Sequence, residues 1–242
     1  TILNKYQNEI HFNEIVLLAY YIAGINIESV FHDIYKPNSF ESFSGSVLTD
    51  TFQLYEQERD LIADLLPDNS KKRTNQKNKK ITVIFGNPPY SSGQKSADDM
   101  YQKMKYPNLD QKIFQTYGKN SKSINQSGLY DSYIRAFRWA SDRIDKTSGV
   151  VAFITGSSWI DKTISDGLRK TLTEEFSSIY VINLRGDVRK DILSKGNSNE
   201  GENVFGQASM TGIAITFLIK NKSLKEKGAK IKYFDIGNNL KE

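Results

Sequence analysis

The chain has 242 residues, 38% of them hydrophobic, and carries 33 Lys and Arg against 28 Asp and Glu, a net charge of +5. With no Cys and only two His (His11 and His32), it offers no thiol nucleophile and no plausible zinc site, so no metal is expected. No apolar run approaches the length of a membrane span or a secretory signal, which leaves one large cytoplasmic α/β domain as the expectation, with a basic balance suited to a polyanionic partner.

In chain order, residues 1–8 read as a polar connector and 10–15 (IHFNEI) as a short strand. Residues 16–27 follow as an apolar helix in which Leu18, Tyr21, Ile22 and Ile25 recur at helical spacing. Glu14 therefore falls at a strand end just before a helix. Nucleotide-binding folds hydrogen-bond ribose hydroxyls there, and a first-turn carboxylate is also favoured there by the helix dipole. Residues 31–45 read as a loop and 46–50 (SVLTD) as a strand ending on a second carboxylate. Asp50 is placed either to accept an adenine amino group or to cap the turn at Thr51.

Residues 55–66 have a helical pattern that Pro67-Asp68-Asn69 ends. The basic, apolar-free run 71–80 (KKRTNQKNKK) reads as a solvated loop, with contact to a phosphate backbone as the other reading. Residues 81–85 (ITVIF) form a buried-strand pattern that stops at Gly86-Asn87-Pro88-Pro89-Tyr90. Residues 91–126 are long, polar and weakly periodic. They are expected to form a lid or DNA-facing insertion over that turn, with some helix near 98–104. A strong helical pattern returns over 129–144, then a strand at 150–154, a helix to about 176, and a strand at 178–183. A Gly- and Asn-rich loop (185–209) leads to strands at 212–219 and 230–236. Strands alternating with helices predict a mainly parallel sheet with right-handed crossovers.

The turn at 86–90 carries the chemistry. Each Pro fixes its own φ and pushes the preceding residue out of the helical region, so Asn87 and Pro88 are held extended at the carboxyl end of a strand. Open α/β sheets bind their ligands at that end. An exocyclic amino group on a nucleobase is a poor nucleophile because its lone pair is delocalised into the ring. Two acceptors on its two N–H bonds, the Asn87 side-chain oxygen and the Pro88 carbonyl, would pull it toward tetrahedral geometry. The Tyr90 ring would stack on a base swung out of the helix. The bland reading is a Pro-Pro turn with Tyr90 as a packing residue.

Taken together, these segments resemble the adenine-N6 DNA methyltransferases whose cofactor motifs precede an Asn-Pro-Pro-Tyr motif, over about residues 13–220. Asn87-Pro88-Pro89-Tyr90 matches the catalytic motif in full. Asn13-Glu14-Ile15 is similar to the ribose-binding segment, and Leu48-Thr49-Asp50-Thr51 to the segment whose Asp hydrogen-bonds the adenine of S-adenosylmethionine. Residues 128–136 resemble the helix that closes over the cofactor, with Tyr133 at an aromatic position. Residues 149–159 resemble the strand after it, and 203–214 the loop and strand whose aromatic, here Phe205, meets the flipped base.

The resemblance implies a Rossmann-like class I methyltransferase fold with an antiparallel last strand, and S-adenosylmethionine as cofactor. It implies Asn87, Pro88 and Tyr90 as catalytic residues, Tyr90 and Phe205 on the target base, and Glu14, Ile15, Asp50, Thr51, Pro89 and Tyr133 on the cofactor. The implied partner is double-stranded DNA. The stretch 13–28 looks closest to the methyltransferase portion of large single-chain restriction-modification enzymes, which join nuclease, helicase and methyltransferase.

One departure is expected to matter. The family's Gly-rich loop and first strand should precede Glu14, yet no Gly-x-Gly occurs anywhere in the chain. Residues 1–220 are therefore read as a partial, N-terminally truncated catalytic domain and 221–242 as a linker or the start of a following region. The Gly-rich strand and a target-recognition domain are expected from a larger polypeptide, and this piece alone is expected to bind cofactor poorly. Two rival functions stay open: methylation of another planar amino group (a protein glutamine or an RNA base), and a non-catalytic DNA-positioning module.

Overall fold

The structure is a computed structural model and describes residues 1–56, 67–89, 106–187, 211–224 and 228–237. It divides into two compact units, Thr1–Lys79 and Lys80–Glu242.

In the first unit a helical turn α1 (Ile2–Asn4) leads to strand β1 (Phe12–Glu14), helix α2 (Leu17–Tyr35), strand β2 (Ser46–Leu48) and helix α3 (Pro67–Asn78). β1 and β2 pair in parallel, Glu14 opposite Leu48. Helix α2 runs eight residues beyond the predicted end at 27, to Tyr35. It stops where Lys36 turns left-handed (φ 49°) and donates its N–H to the His32 carbonyl. Its inner face supplies Phe31, which stacks on Tyr6 at 3.6 Å and packs with Phe43 into a small aromatic core. The chain passes so close at Gly45 that a Cβ there would lie 2.0 Å from the Ile10 carbonyl oxygen, so only glycine fits.

The basic run is helix, not loop. Residues 67–78 are helical, so the predicted helix stop at 67–69 falls within helix. The preceding predicted helix falls, from residue 57 on, outside the described residues.

The second unit is a five-stranded sheet in the order β3 (Val83–Gly86), β4 (Ser148–Gly156), β6 (Ile213–Asn221), β5 (Ser178–Arg185), β7 (Lys230–Asp235). β3 runs parallel to β4, and β5 parallel to β7. β6 is antiparallel to both of its neighbours. The antiparallel last strand expected of residues 1–220 is β6, which lies inside the sheet, and β7 is added beyond it in parallel at the edge. Helices α4 (Pro107–Ile113), α5 (Ser132–Arg143) and α6 (Asp166–Glu175) complete the unit.

Period-two alternation sends Val151, Phe153, Ala214, Thr216, Leu218, Ile179 and Val181 to one buried face. Helix α5 covers it with Phe137, whose ring lies 5.6 Å from Phe153 and 5.4 Å from Trp159. On the other face Val83 and Phe85 are exposed, whereas the apolar run at 81–85 predicts burial there.

One charge is sealed into this core. Arg138 of α5 is 1% exposed and reaches Asp142 at 2.5 Å and Glu175 at 2.9 Å, with its guanidinium over the Tyr117 ring. Burial pushes the Tyr117 hydroxyl up, and that hydroxyl has no hydrogen-bond partner among the described residues. Removing the cation leaves two carboxylates without it and opens a hole beneath them. Arg138→Ala should lower the unfolding free energy by about 3 kcal/mol, and Arg138→Met by clearly less. Urea denaturation of both variants checks this, and equal losses would refute it.

Candidate functional site

In each unit the sequence-predicted residues gather mainly at the carboxyl ends of parallel strands. In the first unit, Glu14 ends β1, and its carbonyl accepts the Thr49 N–H at 2.9 Å, so the Thr49-Asp50 corner lies beside it. The Glu14 Oε1 accepts the N–H groups of Ile15 and Val16, both at 2.8 Å. Oε2 has no partner among the described residues. The carboxylate is anchored by one oxygen at the start of α2 and presents the other. Asp50 accepts the Phe52 N–H at 2.9 Å and caps the short turn that Thr51 begins.

A residue that sequence reasoning misses holds this corner. The Asn69 side chain accepts from the Leu48 N–H and donates to the Leu48 carbonyl, both at 2.9 Å, as a neighbouring strand would.

In the second unit, β3 delivers Gly86 to Asn87-Pro88-Pro89. Asn87 and Pro89 are exposed and Pro88 half-buried. Neither the Asn87 side-chain amide nor the Pro88 carbonyl is hydrogen-bonded by any other described residue. Strand β3 is fixed from behind: Val150 donates to the Thr82 carbonyl at 2.9 Å and Asp145 to the Ile81 carbonyl at 2.7 Å. A Cβ at Gly149 would lie 2.9 Å from that Thr82 oxygen, so glycine is required for the approach.

Tyr133, from α5, is 4% exposed, and its hydroxyl shares a 2.9 Å hydrogen bond with Ser158 at the end of β4. Burial pushes its pKa up to about 12, with the Ser158 bond opposing and the Asp131 charge adding to the rise. The ring is a packed residue whose hydroxyl is already engaged. Tyr90 and Phe205 lie outside the described residues, as do residues 91–105 of the predicted lid and 188–209 of the predicted loop.

The same edge carries a polar cluster beyond β6. Arg185 adopts φ 55° after a pairing shift between Asn183 and Arg185. Its Nε reaches Asp235 at 2.5 Å, and the Tyr233 hydroxyl donates to the same carboxylate at 2.9 Å. Burial alone would raise the Asp235 carboxyl. The Arg185 bond, with help from Gly237 and Tyr233, outweighs it and holds the pKa down at about 2.

At the opposite, amino-terminal end of the sheet lies a cleft of about 350 Å³ lined by Arg138, Asp142, Glu175 and Lys220 among others. Its arginine is committed to its two carboxylates, and the cleft is at the wrong end of the strands for Asn87.

A sheet of this order with one antiparallel strand inside it is the class I methyltransferase fold. The type I restriction-modification methyltransferase subunit from Streptococcus thermophilus shares that fold at 14% identity, over 96% of this chain and 39% of that one, with a TM-score of 0.50. The chain belongs to the Eco57I restriction-modification methylase family, which matches residues 9–189.

It is similar to the ATP-dependent Type ISP restriction-modification enzyme LlaBIII, solved bound to DNA: 45% identity, 98% of this chain, 16% of that one, TM-score 0.88. It is similar also to a nuclease-deletion mutant of the Type ISP enzyme LlaGI, solved with a DNA substrate mimic: 42% identity, 98% of this chain, 19% of that one, TM-score 0.88. This chain therefore spans less than a fifth of either enzyme's length. A comparison with curated protein sequences found no match.

The Asp235 geometry predicts a pH response. Its pKa of about 2 lies below that of an unfolded aspartate, so the stabilisation is complete above about pH 4 and is lost as pH falls through 2. Solvent screens this partly exposed pair, so the contribution is about 1 to 2 kcal/mol. Asp235→Asn should flatten that limb of the acid-unfolding curve. An unchanged acid limb would contradict the ion pair.

Proposed function

We propose that this chain is the part of a restriction-modification enzyme that transfers a methyl group from S-adenosylmethionine to N6 of a flipped adenine in DNA. The observation that carries the reading is the Asn87–Pro88 pair: two oxygen acceptors at the carboxyl edge of the sheet, both without protein partners among the described residues. In this role Asn87 Oδ1 and the Pro88 carbonyl each accept one N–H of the adenine amino group. The lone pair is thereby localised on nitrogen and aimed away from both acceptors. A nitrogen–carbon bond forms as the sulfur–carbon bond breaks, and the surplus proton leaves N6 for solvent. Tyr90 and Phe205 hold the extruded ring by stacking.

The residues at the ends of β1 and β2 fit the cofactor. Glu14 keeps one carboxylate oxygen fixed by two backbone donors and the other without a partner among the described residues, as acceptance from a ribose hydroxyl requires. In the first unit Asp50 and Thr51 would face the adenine moiety and Ile15 would supply apolar surface; in the second unit Pro89 and Tyr133 are the residues proposed for the cofactor. Tyr133 would act through its ring, since its hydroxyl is held by Ser158. When bound, S-adenosylmethionine supplies an electrophilic methyl group on a sulfonium and needs no covalent enzyme intermediate. Double-stranded DNA, a cytoplasmic setting and further domains of a longer polypeptide belong to the same proposal. Among the described residues no helix is long and apolar enough to cross a membrane.

The test is transfer of labelled methyl groups by the full-length protein, with DNA, RNA and protein offered as acceptors. DNA should take the label. Asn87→Ala should lower the rate by about 10² to 10³ while cofactor affinity, measured by calorimetry, stays near wild type. Near-normal turnover of that variant would remove Asn87 from the chemistry, and label in protein or RNA would redirect the substrate assignment.

A further inference from the structure

Short polar side chains at the ends of strands and helices ordinarily bond to their own backbone two residues on. This chain does so repeatedly. Asp50 accepts from the Phe52 N–H at 2.9 Å, and Asp145 from the Thr147 N–H at 2.8 Å. Asn183 accepts from the Arg185 N–H at 3.1 Å, Asn221 from the Ser223 N–H at 3.1 Å, and Asp235 from the Gly237 N–H at 2.9 Å. Each of these residues sits at or close to a strand or helix end, as Asn87 does after β3. Asn87 is different: its side-chain amide bonds to no described residue. The reason is chemical. Two residues beyond Asn87 stands Pro89, which has no N–H to give.

We propose that Pro89 is a positioning residue that acts by withholding a donor: it denies Asn87 the local bond that would turn its side-chain oxygen back onto the loop. The inference deepens the methyl-transfer reading and rests on it for its effect on rate, but its geometric content stands alone. Pro88 cannot play the same part. It follows Asn87 directly, and an N–H there lies at the wrong step for the two-residue bond. Its contribution is its carbonyl, which any residue would retain. The two prolines thus have separable roles. One holds the strand end extended and offers an acceptor, while the other keeps the neighbouring acceptor available.

The experiment compares Pro89→Ala with Pro88→Ala in the full-length protein. Both variants loosen the turn, but only the first supplies the N–H two residues on. Pro89→Ala should lower the single-turnover methyl-transfer rate about fivefold at saturating DNA and cofactor, the effect of one competing hydrogen bond. Pro88→Ala should fall by less, and Tm should match wild type in both.

Amide hydrogen exchange gives a second readout that needs no activity. The backbone N–H that Pro89→Ala introduces should be protected in that variant. It should lose the protection when Asn87→Ala is added. An unprotected amide at that position, equal rate losses in the two single variants, or a rate loss matched by a fall in Tm would each overturn the inference. If the wild-type protein methylates no DNA, the functional reading fails instead, and the exchange result still decides the geometry.

Discussion

An asparagine followed by two prolines finds no backbone N–H at either of the next two positions. The constraint is steric and chemical at once: the rings forbid the helical region to the residues before them, and they remove the two nearest backbone donors. Strand β3 ends in a corner whose Asn87 and Pro88 oxygens bond to no other described residue, while its flank is held by β4 and the turn before it, through Val150 and Asp145. A polar group left unpaired at a surface costs little, because water serves it. Under the proposed function a flat amino-bearing group replaces that water, and no bond to a described residue must first be broken.

The scaffold serves that corner by aiming strand ends. In the second unit four of the five strands point the same way, and the one that opposes them, β6, lies inside the sheet. Asn87, Ser157 and Arg185 consequently emerge along one edge. The core behind that edge is ordinary alternating burial, reinforced by the aromatic contacts of Phe137 and by an arginine whose charge is matched on two sides. In the first unit the parallel pair β1–β2 does the same for Glu14 and Asp50, with the Asn69 amide standing in for a third strand at Leu48.

The strands and the long amphipathic helices are legible in the sequence because their signal is local. A run such as VVAFI at 150–154, or the spacing of Tyr133, Phe137 and Ala140, has few competing readings. The Asn-Pro-Pro corner is legible for the same reason, since proline geometry does not depend on tertiary context. What the sequence hides depends on partners far along the chain. Residues 71–78 read as loop because they carry no apolar stripe, yet α3 docks through polar groups, Asn69 onto Leu48 and Arg73 onto the Gln53 carbonyl. The place of the antiparallel strand inside the sheet is set by pairing between segments distant in the chain, which no local pattern encodes. The Arg185–Asp235 pair, 50 residues apart, is invisible for that reason too.

Whether this corner grips an adenine amino group is measured most directly by incubating the full-length protein with S-adenosylmethionine and duplex DNA. The product is digested to nucleosides and the methylated one identified by mass spectrometry. N6-methyl-2′-deoxyadenosine is the expected product, formed about 10² to 10³ times more slowly when Asn87 is replaced by Ala. Methyl groups on cytosine instead, or adenine methylation at a near-normal rate without the Asn87 amide, would contradict that role for the corner.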